Sequence, residues 1–124
     1  MDRREREIAG RKAENHVARW LKIRGWKVLA ERFKVPEGEI DLIVRKKNII
    51  AFVEVKQREH LPTQEDLVTQ TNITRVMDAA EVWVGRNFEA LGDDFEIRFD
   101  LAMIEGRVHP LAKVQYIENA FIGF

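Results

Sequence analysis

The chain of 124 residues lacks cysteine altogether and contains no long hydrophobic run. Without cysteine there is no disulfide bond and no cysteine-based zinc site, which is typical of proteins from a reducing compartment. A membrane-spanning helix needs roughly 20 apolar residues and a secretion signal needs an apolar core, and the sequence shows neither. It therefore predicts a cytoplasmic protein without a membrane partner, folded as a single domain over residues 1–124.

The chain also lacks net charge, because 21 basic side chains balance 21 acidic ones. The two halves differ nevertheless. Residues 1–60 hold 16 Lys and Arg against 10 Asp and Glu, whereas residues 61–124 hold 5 against 11. Such asymmetry is typical either of a protein that binds a charged partner such as nucleic acid or of ordinary solvated faces. Charge alone leaves both interpretations open.

The order of apolar patterns predicts an α/β fold. Helical spacing favours helices over residues 3–24 and 64–86, and alternation favours strands over 26–33 and 95–104. Residues 69–74 have weak helix propensity, so the second helix is expected either to fray there or to start late. With a hairpin between the first strand and the second helix, the order becomes α-β-β-β-α-β. A helical crossover returns a strand parallel to one already in the sheet, so a mixed sheet flanked by helices is expected.

The carboxyl-terminal third is predicted in less regular structure. A loop is expected at 87–94 and an edge strand, interrupted by Pro110, at 107–116. The last apolar side chains are expected to cover the core or a partner: Phe121, Ile122 and Phe124.

Several single positions carry their own expectations. Gly25 is predicted to end the first helix, and Gly38 to supply either a positive φ angle or a close backbone approach. His16 points away from the apolar arc of its helix and is expected at the surface. Asp100 is expected to be structural rather than a metal ligand. The second helix is predicted to turn one stripe to the core: Ile73, Val76, Met77, Ala80, Trp83 and Val84.

The central stretch of the chain predicts an antiparallel hairpin. Two alternating runs, 39–44 and 49–56, flank the basic loop 45–48. Alternation on both sides of a short polar loop is typical of paired strands. The expected register pairs Arg45 with Ile50.

This register brings two carboxylates together. Asp41 falls opposite Glu54, on the face that also carries Lys56. Opposed like charges destabilise a sheet by up to about 1 kcal/mol, and a cation between them reverses that effect. Hard divalent ions such as Mg²⁺ take oxygen ligands from one or two carboxylates. The pattern therefore predicts a nuclease-type metal site made by Asp41 and Glu54, with Lys56 beside it.

An Asp followed after a strand-length gap by Glu-x-Lys resembles the motif of restriction-endonuclease-like nucleases. Further stretches match in order, namely Gly10 and Ala13-Glu14 in the first helix, then GEIDLI, FVEVKQR, RFDLAMI and ENAF. Together they resemble the YraN family, small bacterial proteins similar to archaeal Holliday-junction resolvases. The resemblance implies a restriction-endonuclease-like α/β domain, metal-dependent endonuclease activity on branched or structured DNA, and a homodimer.

The resemblance also implies a role for Glu14, since the related resolvases place a glutamate of the first helix beside the metal. Glu14 lies within the apolar arc of its helix, where an unpaired carboxylate is costly. A salt bridge to Arg11 or Lys56 is the other explanation. The oxygen ligands expected for Mg²⁺ or Mn²⁺ are the following: Asp41, Glu54, the Val55 carbonyl and Glu14.

Basic side chains near the hairpin are expected to bind phosphates: Arg45, Lys46, Lys47, Arg58 and Arg75. In the hydrolysis so predicted, the metal activates a water and Lys56 orients that water or stabilises developing charge. Gln57 lies on the opposite strand face and is given a supporting role at most. Two alternatives stay open: a nucleic-acid-binding or scaffold protein on the same fold that does not cut, and a structural adaptor with an ion-pair network.

Overall fold

The computed structural model describes residues 2–60 and 63–121. Within these residues the elements follow in the order α1 (Arg3–Ile23), β1 (Lys27–Val35), β2 (Gly38–Lys46), β3 (Ile49–Arg58), α2 (Gln64–Gln70), α3 (Ile73–Leu91), β4 (Glu96–Glu105) and β5 (Gln115–Ile117). The strands form one sheet in the order β1-β2-β3-β4-β5, in which β3 and β4 are parallel and the other neighbours antiparallel. The predicted α/β fold with its mixed sheet is confirmed.

Both faces of the sheet are covered, and this explains why the central strands are so apolar. Alternate residues of β2 and β3 pack under α1, for example Leu42 and Val53 against Val17. The intervening ones pack under α3, for example Phe52 against Trp83 with their ring centroids 5.9 Å apart. No helix in the described ranges is long and apolar enough to cross a membrane.

Helix α1 ends as its sequence predicts. Gly25 has a φ of +93° and its N–H donates to the Lys22 carbonyl, while the Trp26 N–H donates to the Leu21 carbonyl. These two bonds satisfy carbonyls that the helix would otherwise leave unpaired. The turn redirects the chain into β1.

Gly38 makes the close backbone approach that was one of its two predicted roles. A Cβ at this position would lie 1.9 Å from the Arg75 carbonyl oxygen, so only glycine fits without a backbone shift. The first turn of α3 is thereby seated against the start of β2, three residues before Asp41.

The helix predicted over 64–86 is two helices, and the break falls within residues 69–74, where weak propensity was predicted. The chain breaks at Thr71 and Asn72, where the Thr71 hydroxyl donates to the Leu67 carbonyl and the Asn72 side chain accepts from the Arg75 N–H. Residues that compete for backbone hydrogen bonds favour caps over helix interiors, which explains the break.

Two further helix predictions need correction. Helix α3 continues to Leu91, so most of the predicted loop at 87–94 is helical. Met77, predicted in the core stripe, is 42% exposed, and the buried residue of that turn is Val76. The buried stripe is therefore displaced from Met77 toward Ala79, which is fully buried.

His16 is not the surface residue that was predicted. It is buried, and its Nε2 lies 2.7 Å from the Ala112 carbonyl oxygen. This contact ties α1 to the segment that follows β4, 96 residues further along the chain. A polar side chain on a buried face is tolerated here because it has a partner.

The edge strand predicted at 107–116 is also wrong in extent. Only Gln115–Ile117 pairs with β4, and the Pro110 region forms turns. Phe121 does cover the core, packing with Leu67 and Leu101. Ile122 and Phe124 lie outside the described residues.

Asp100 has the structural role that was predicted. Its carboxylate is fully buried and accepts hydrogen bonds from the Arg98 guanidinium, the Tyr116 hydroxyl at 2.6 Å and the Asn119 N–H at 3.0 Å. These bonds attach β5 and the turn after it to the centre of β4.

Candidate metal centre

The candidate centre lies where β2 and β3 stop pairing. Their ladder follows the predicted register, from Lys46 opposite Ile49 to Leu42 opposite Val53. The next residue of β2 is Asp41. Its Oδ2 accepts a hydrogen bond of 2.8 Å from the Val55 N–H, so the carboxylate takes a donor that a continued ladder would have used.

Strand β2 is irregular at this point. Ile40 and Ile43 both pack on the α3 side of the sheet although they are three residues apart. Regular alternation would place them on opposite faces. On β1, Arg32 lies between the partners of Ile40 and Leu42 and has a φ of +53°. The irregularity is therefore shared by both strands, and it turns Asp41 toward β3.

Glu54 and Lys56 complete the centre on β3. Continuing the register places Glu54 opposite Asp41, and Lys56 Nζ lies 3.7 Å from Glu54 Oε2. The Glu54 side chain is 10% exposed and that of Lys56 is 21% exposed. The structure thus brings the three motif residues together in a site that is nearly, but not wholly, closed to solvent.

Without a bound cation, the charged forms of the Asp41 and Glu54 carboxyl groups are destabilised by burial and by their mutual repulsion. Burial, and then repulsion from Asp41, raise the pKa of Glu54 to about 8, against the attraction of Lys56. Burial also raises the pKa of Asp41, although the hydrogen bond from Val55 and the charge of Lys56 oppose this. Carboxyl groups whose pKa values rise together favour either a shared proton or a cation between them.

Glu14 lies at the α1 side of the centre. Burial, followed by repulsion from Asp41, raises its pKa to about 7. The alternative explanation for Glu14 was a salt bridge to Arg11 or Lys56. Its ion-pair partner is instead Arg32, whose Nε lies 3.7 Å from Glu14 Oε1. Glu14 Oε1 and Arg32 Nη1 are both buried without a hydrogen-bond partner in the part of the chain that the structure describes.

Arg32 is the site residue that sequence reasoning missed. Its charge lowers the pKa of both Glu14 and Asp41, so it is the cation that the centre holds on its α1 side. A left-handed backbone is uncommon outside glycine, asparagine and aspartate, and nothing in the sequence pattern signals it at an arginine. Strained backbone of this kind tends to occur at functional sites.

The residues present fit a hard divalent ion held by two carboxylates. All donors are oxygens, as Mg²⁺ or Mn²⁺ prefers, and Mg²⁺ usually keeps several waters. Over 2–60 and 63–121 no three acidic or histidine side chains are close enough to hold an ion. Asp41 and Glu54 would therefore hold it with water, and Glu14 would remain with Arg32. The Val55 N–H orients Asp41, while the Val55 carbonyl stays a predicted ligand.

Two of the predicted phosphate-binding residues have backbone partners at the far end of the hairpin. Arg45 donates to the Lys47 and Leu91 carbonyls, and Lys46 donates to the Arg24 carbonyl. With a rise of about 3.4 Å per residue, this end lies roughly 13–17 Å along β2 from Asp41. One phosphate group therefore cannot contact both the basic turn of the hairpin and Asp41 at the other end of β2.

Of the three remaining basic residues, Lys47 lies in the turn at the far end of the hairpin, and the other two lie at the carboxylate end. Arg58 is exposed at the end of β3, two residues after Lys56. Arg75 is exposed in the first turn of α3, where its carbonyl touches Gly38. Both therefore remain candidates for contact with a substrate bound at the centre.

Comparison with known proteins finds one matching family model and relatives that carry the same family designation. The family model described as "Uncharacterised protein family UPF0102" matches residues 13–104, a range that contains every residue of the candidate centre. A UPF0102 protein of Bradyrhizobium diazoefficiens is 41% identical over 101 residues, covering 82% of this chain and 74% of the relative. Another, from Erythrobacter litoralis, is 37% identical over 121 residues, covering 98% of each chain.

Proposed function

The chain belongs to the UPF0102 family, the YraN group of restriction-endonuclease-like proteins, and on that premise we propose that it is a metal-dependent endonuclease. The reaction is hydrolysis of phosphodiester bonds in DNA, and the substrate is branched or otherwise structured. One observation supports this most strongly: Asp41 and Glu54 converge from neighbouring strands and raise each other's free energy in the charged form, beside the amine of Lys56.

Each residue has a distinct part in the proposed chemistry. Asp41 and Glu54 would hold Mg²⁺ or Mn²⁺, and the ion would supply Lewis-acid chemistry at the scissile phosphate and at the attacking water. The Val55 N–H fixes the orientation of the Asp41 carboxylate, as partners of metal ligands commonly do. Lys56, released from its 3.7 Å ion pair with Glu54, stabilises the charge that develops on the phosphate.

Glu14 and Arg32 support the same step from α1 and β1. With a pKa of about 7, Glu14 can hold or release a proton near neutral pH, in reach of a water that enters the centre. Arg32 keeps that carboxylate on the α1 side and prevents three negative charges from accumulating. The resemblance to the resolvases extends the proposal to a homodimer acting on DNA.

The test is a cleavage assay with purified protein. Labelled branched, single-stranded and duplex DNA would be incubated with Mg²⁺, with Mn²⁺ and with EDTA. We expect metal-dependent cleavage that falls by at least about 100-fold in Glu54→Gln and in Asp41→Asn. The matched control is Glu39→Gln, an exposed acid of the same strand that pairs with Lys34. Wild-type protein that cleaves none of these substrates with either metal would overturn the proposal.

A second candidate is a nucleic-acid-binding or scaffold protein that keeps the fold without cutting. The observation in its favour is the absence of a three-residue metal cluster from the described ranges. Binding of DNA that persists in EDTA, with no cleavage under any metal, would favour this candidate.

A further inference from the structure

Asp41 has an acidic neighbour on each side, and each of these two neighbours pairs with a cation. On β3, continuing the register places Glu54 opposite Asp41, and Lys56 Nζ lies 3.7 Å from Glu54 Oε2. On α1, Glu14 Oε1 lies 3.7 Å from the Nε of Arg32. Burial, and then repulsion from Asp41, raise the pKa of Glu54 and of Glu14. Asp41 is therefore the acid that both pairs have as a neighbour.

Glu14 and Glu54 border different places beside Asp41. No three acidic or histidine side chains within 2–60 and 63–121 come close enough to hold one ion. Glu14 and Glu54 therefore cannot bind the same ion together with Asp41. A two-ion centre would need one ion between Asp41 and Glu54 and another between Asp41 and Glu14. At the second of these places the protein already holds the guanidinium of Arg32.

The position of Arg32 is imposed by its backbone. Strand β1 pairs with β2 on both sides of this residue, and the two partners on β2 are the neighbours of Asp41 in sequence. The φ of Arg32 is +53°, a left-handed conformation that is unfavourable for a long side chain. Such a conformation persists only where the surrounding structure requires it, and it is frequent at functional sites. The fold thus holds a permanent positive charge beside Asp41.

The pair of Glu14 and Arg32 leaves hydrogen-bonding capacity unused. A separation of 3.7 Å between Nε and Oε1 is too long for a hydrogen bond. Glu14 Oε1 and Arg32 Nη1 are both buried without a hydrogen-bond partner among the residues that the structure describes. Buried polar atoms nearly always have such a partner, because leaving one unpaired is unfavourable. The contact is therefore a charge pair, and the Nη1–H remains able to donate to another group.

Both cations are more exposed than the acids with which they pair. The side chain of Arg32 is 32% exposed against 15% for Glu14, and that of Lys56 is 21% exposed against 10% for Glu54. A molecule that approaches from solvent therefore meets positive charge on either side of Asp41. An anionic phosphate is attracted by this arrangement. A second divalent ion beside Glu14 is repelled by a guanidinium that cannot lose its proton.

We propose that the guanidinium of Arg32 takes the place of a second divalent ion at this centre. Many enzymes that cleave phosphodiesters use two ions about 3.5–4 Å apart to stabilise the attacking and leaving oxygens. Here Asp41 and Glu54 hold one ion, and Arg32 provides the other positive charge, with its Nη1–H donating to a phosphate oxygen. The chain therefore binds a single ion. The inference rests on the proposed function and adds Arg32 to its catalytic residues.

The test counts bound ions in the absence of DNA. Equilibrium dialysis against Mn²⁺, followed by atomic absorption of the protein compartment, gives the number of ions per chain. We expect one ion for wild type and one for Glu14→Gln, because Glu14 pairs with Arg32 and not with the ion. We expect two ions for Arg32→Gly, in which Glu14 and Asp41 have lost the cation between them. Glycine adopts a positive φ without strain, so this variant keeps the backbone of β1.

Three further variants separate the charge of Arg32 from local disruption. Arg32→Lys keeps a cation and should still give one ion. Arg11→Gln removes an exposed cation whose charge also acts on Glu14, and it should give one ion as well. Arg32→Gly combined with Glu14→Gln removes both the cation and the second acid, so the count should return to one.

The dependence of cleavage on metal concentration gives a second measurement. At low Mn²⁺ the wild-type rate should rise in proportion to the metal concentration, and the rate of Arg32→Gly with its square. The reason is that a second ion must replace the missing guanidinium. In this low range we expect Arg32→Gly to be at least about 100-fold slower than wild type. At saturating Mn²⁺ the difference should shrink in Arg32→Gly, but not when Glu14→Gln is also present.

The outcomes distinguish this inference from the endonuclease proposal. Two ions in wild type, one of which is lost in Glu14→Gln, would overturn the role of Arg32, and so would a single ion in Arg32→Gly. Neither result affects metal-dependent cleavage. One ion in wild type and two in Arg32→Gly, without cleavage of any DNA, would support the role of Arg32 at the centre and contradict the endonuclease. Wild-type protein that binds no ion would overturn both.

Discussion

The sheet carries two acidic sites that differ in their partners: one is the single carboxylate of Asp100, and the other is formed by Asp41 and Glu54. Asp100 at the centre of β4 is surrounded by donors, since Arg98, Tyr116 and the Asn119 N–H all bond to its carboxylate. Asp41 and Glu54, at the end of the β2–β3 ladder, face each other with one backbone N–H and one amine 3.7 Å away. The carboxylate of Asp100 has three protein donors, whereas Asp41 and Glu54 have fewer partners and repel each other.

The difference indicates how to separate a structural acid from a functional one in an unfamiliar fold. A buried charge with its full set of partners contributes to the unique packing of the chain, and breaking the set is costly. Buried acids that repel each other destabilise the fold unless an ion or proton binds, and such clusters mark candidate sites. The two groups should therefore respond in opposite directions to the same kind of substitution.

The largest expected effect is on the structural side. Asp100→Ala removes the carboxylate that accepts three hydrogen-bond donors, and it leaves the Arg98 guanidinium, whose side chain is 13% exposed, with the more distant Glu118 carboxylate at 3.5 Å. We expect a loss of about 3–5 kcal/mol in the free energy of unfolding, measured by urea denaturation at pH 7. Asp66→Ala, an exposed acid in the first turn of α2, serves as the control and should cost less than about 1 kcal/mol. An Asp100→Ala protein as stable as wild type would contradict the structural assignment.

At the candidate metal centre, substitution of an acid is expected to raise the free energy of unfolding instead of lowering it. The pKa of Glu54 is raised from 4.5 to about 8, so the folded protein binds this proton more tightly than the unfolded chain does. The contribution of Glu54 to the free energy of unfolding is therefore fully present below about pH 4.5, and it is lost as the pH rises through about 8. Glu54→Gln removes the penalty, so we expect it to stabilise the metal-free protein by about 1–3 kcal/mol at pH 9 and hardly at all at pH 5. Urea denaturation in EDTA at both pH values measures this, and equal effects at the two would contradict it.

Binding of a divalent ion should stabilise the protein, as Glu54→Gln is expected to do. At a Mg²⁺ or Mn²⁺ concentration ten times its Kd, wild-type protein at pH 8 should gain about 1.4 kcal/mol of stability, seen as a rise in Tm over the EDTA sample. Asp41→Asn should abolish the gain, whereas Glu39→Gln should keep it. A gain that survives in Asp41→Asn would place the ion elsewhere.

A smaller effect is expected at Glu14. Among the charges that lower its pKa, Arg32 acts more strongly than Arg11. Arg32→Gln should therefore raise the pKa of Glu14 further above 7 than Arg11→Gln does, as measured by carbon NMR titration of the side-chain carboxyl. Equal shifts in the two variants would contradict the assignment of Arg32 as the partner of this acid.

The last test measures the ionisation of a tyrosine and involves no change in the free energy of unfolding at neutral pH. Burial, the charge of Asp100 and the hydrogen bond to it all raise the pKa of Tyr116. The chain has one tyrosine, so phenolate absorbance at 295 nm reports on this residue alone. We expect no ionisation between pH 10 and 11 in the folded protein, and ordinary ionisation near pH 10 in urea. Ordinary titration in the folded state would show that Asp100 lacks this partner.

The sequence predicted the parts of the fold that depend on local pattern. Alternation gave the hairpin register, and with it the approach of Asp41 to Glu54, because a one-residue slip would expose the whole apolar set. The features it missed depend on distant contacts or on strain. His16 is buried by a segment 96 residues away, and Arg32 adopts a backbone conformation that its residue type disfavours.

Other differences between prediction and structure have a local cause. Thr71 and Asn72 are cap-forming residues, and they divide what spacing alone presented as one helix. The basic loop was predicted to bind phosphates together with Arg58 and Arg75. Strand geometry carries it to the opposite end of the hairpin, where Lys46 binds a backbone carbonyl.

The hydrogen bond from the Val55 N–H to Asp41 gives the centre its own spectroscopic probe. A backbone amide that donates to a carboxylate changes its proton resonance when that carboxylate gains a proton or a metal ion. One peak in a nitrogen-resolved spectrum would then follow the occupancy of the site directly, in the untouched wild-type chain and without any substrate. Strand β3, which carries Glu54, thus also carries an amide that reports on the Asp41 carboxylate of the neighbouring strand.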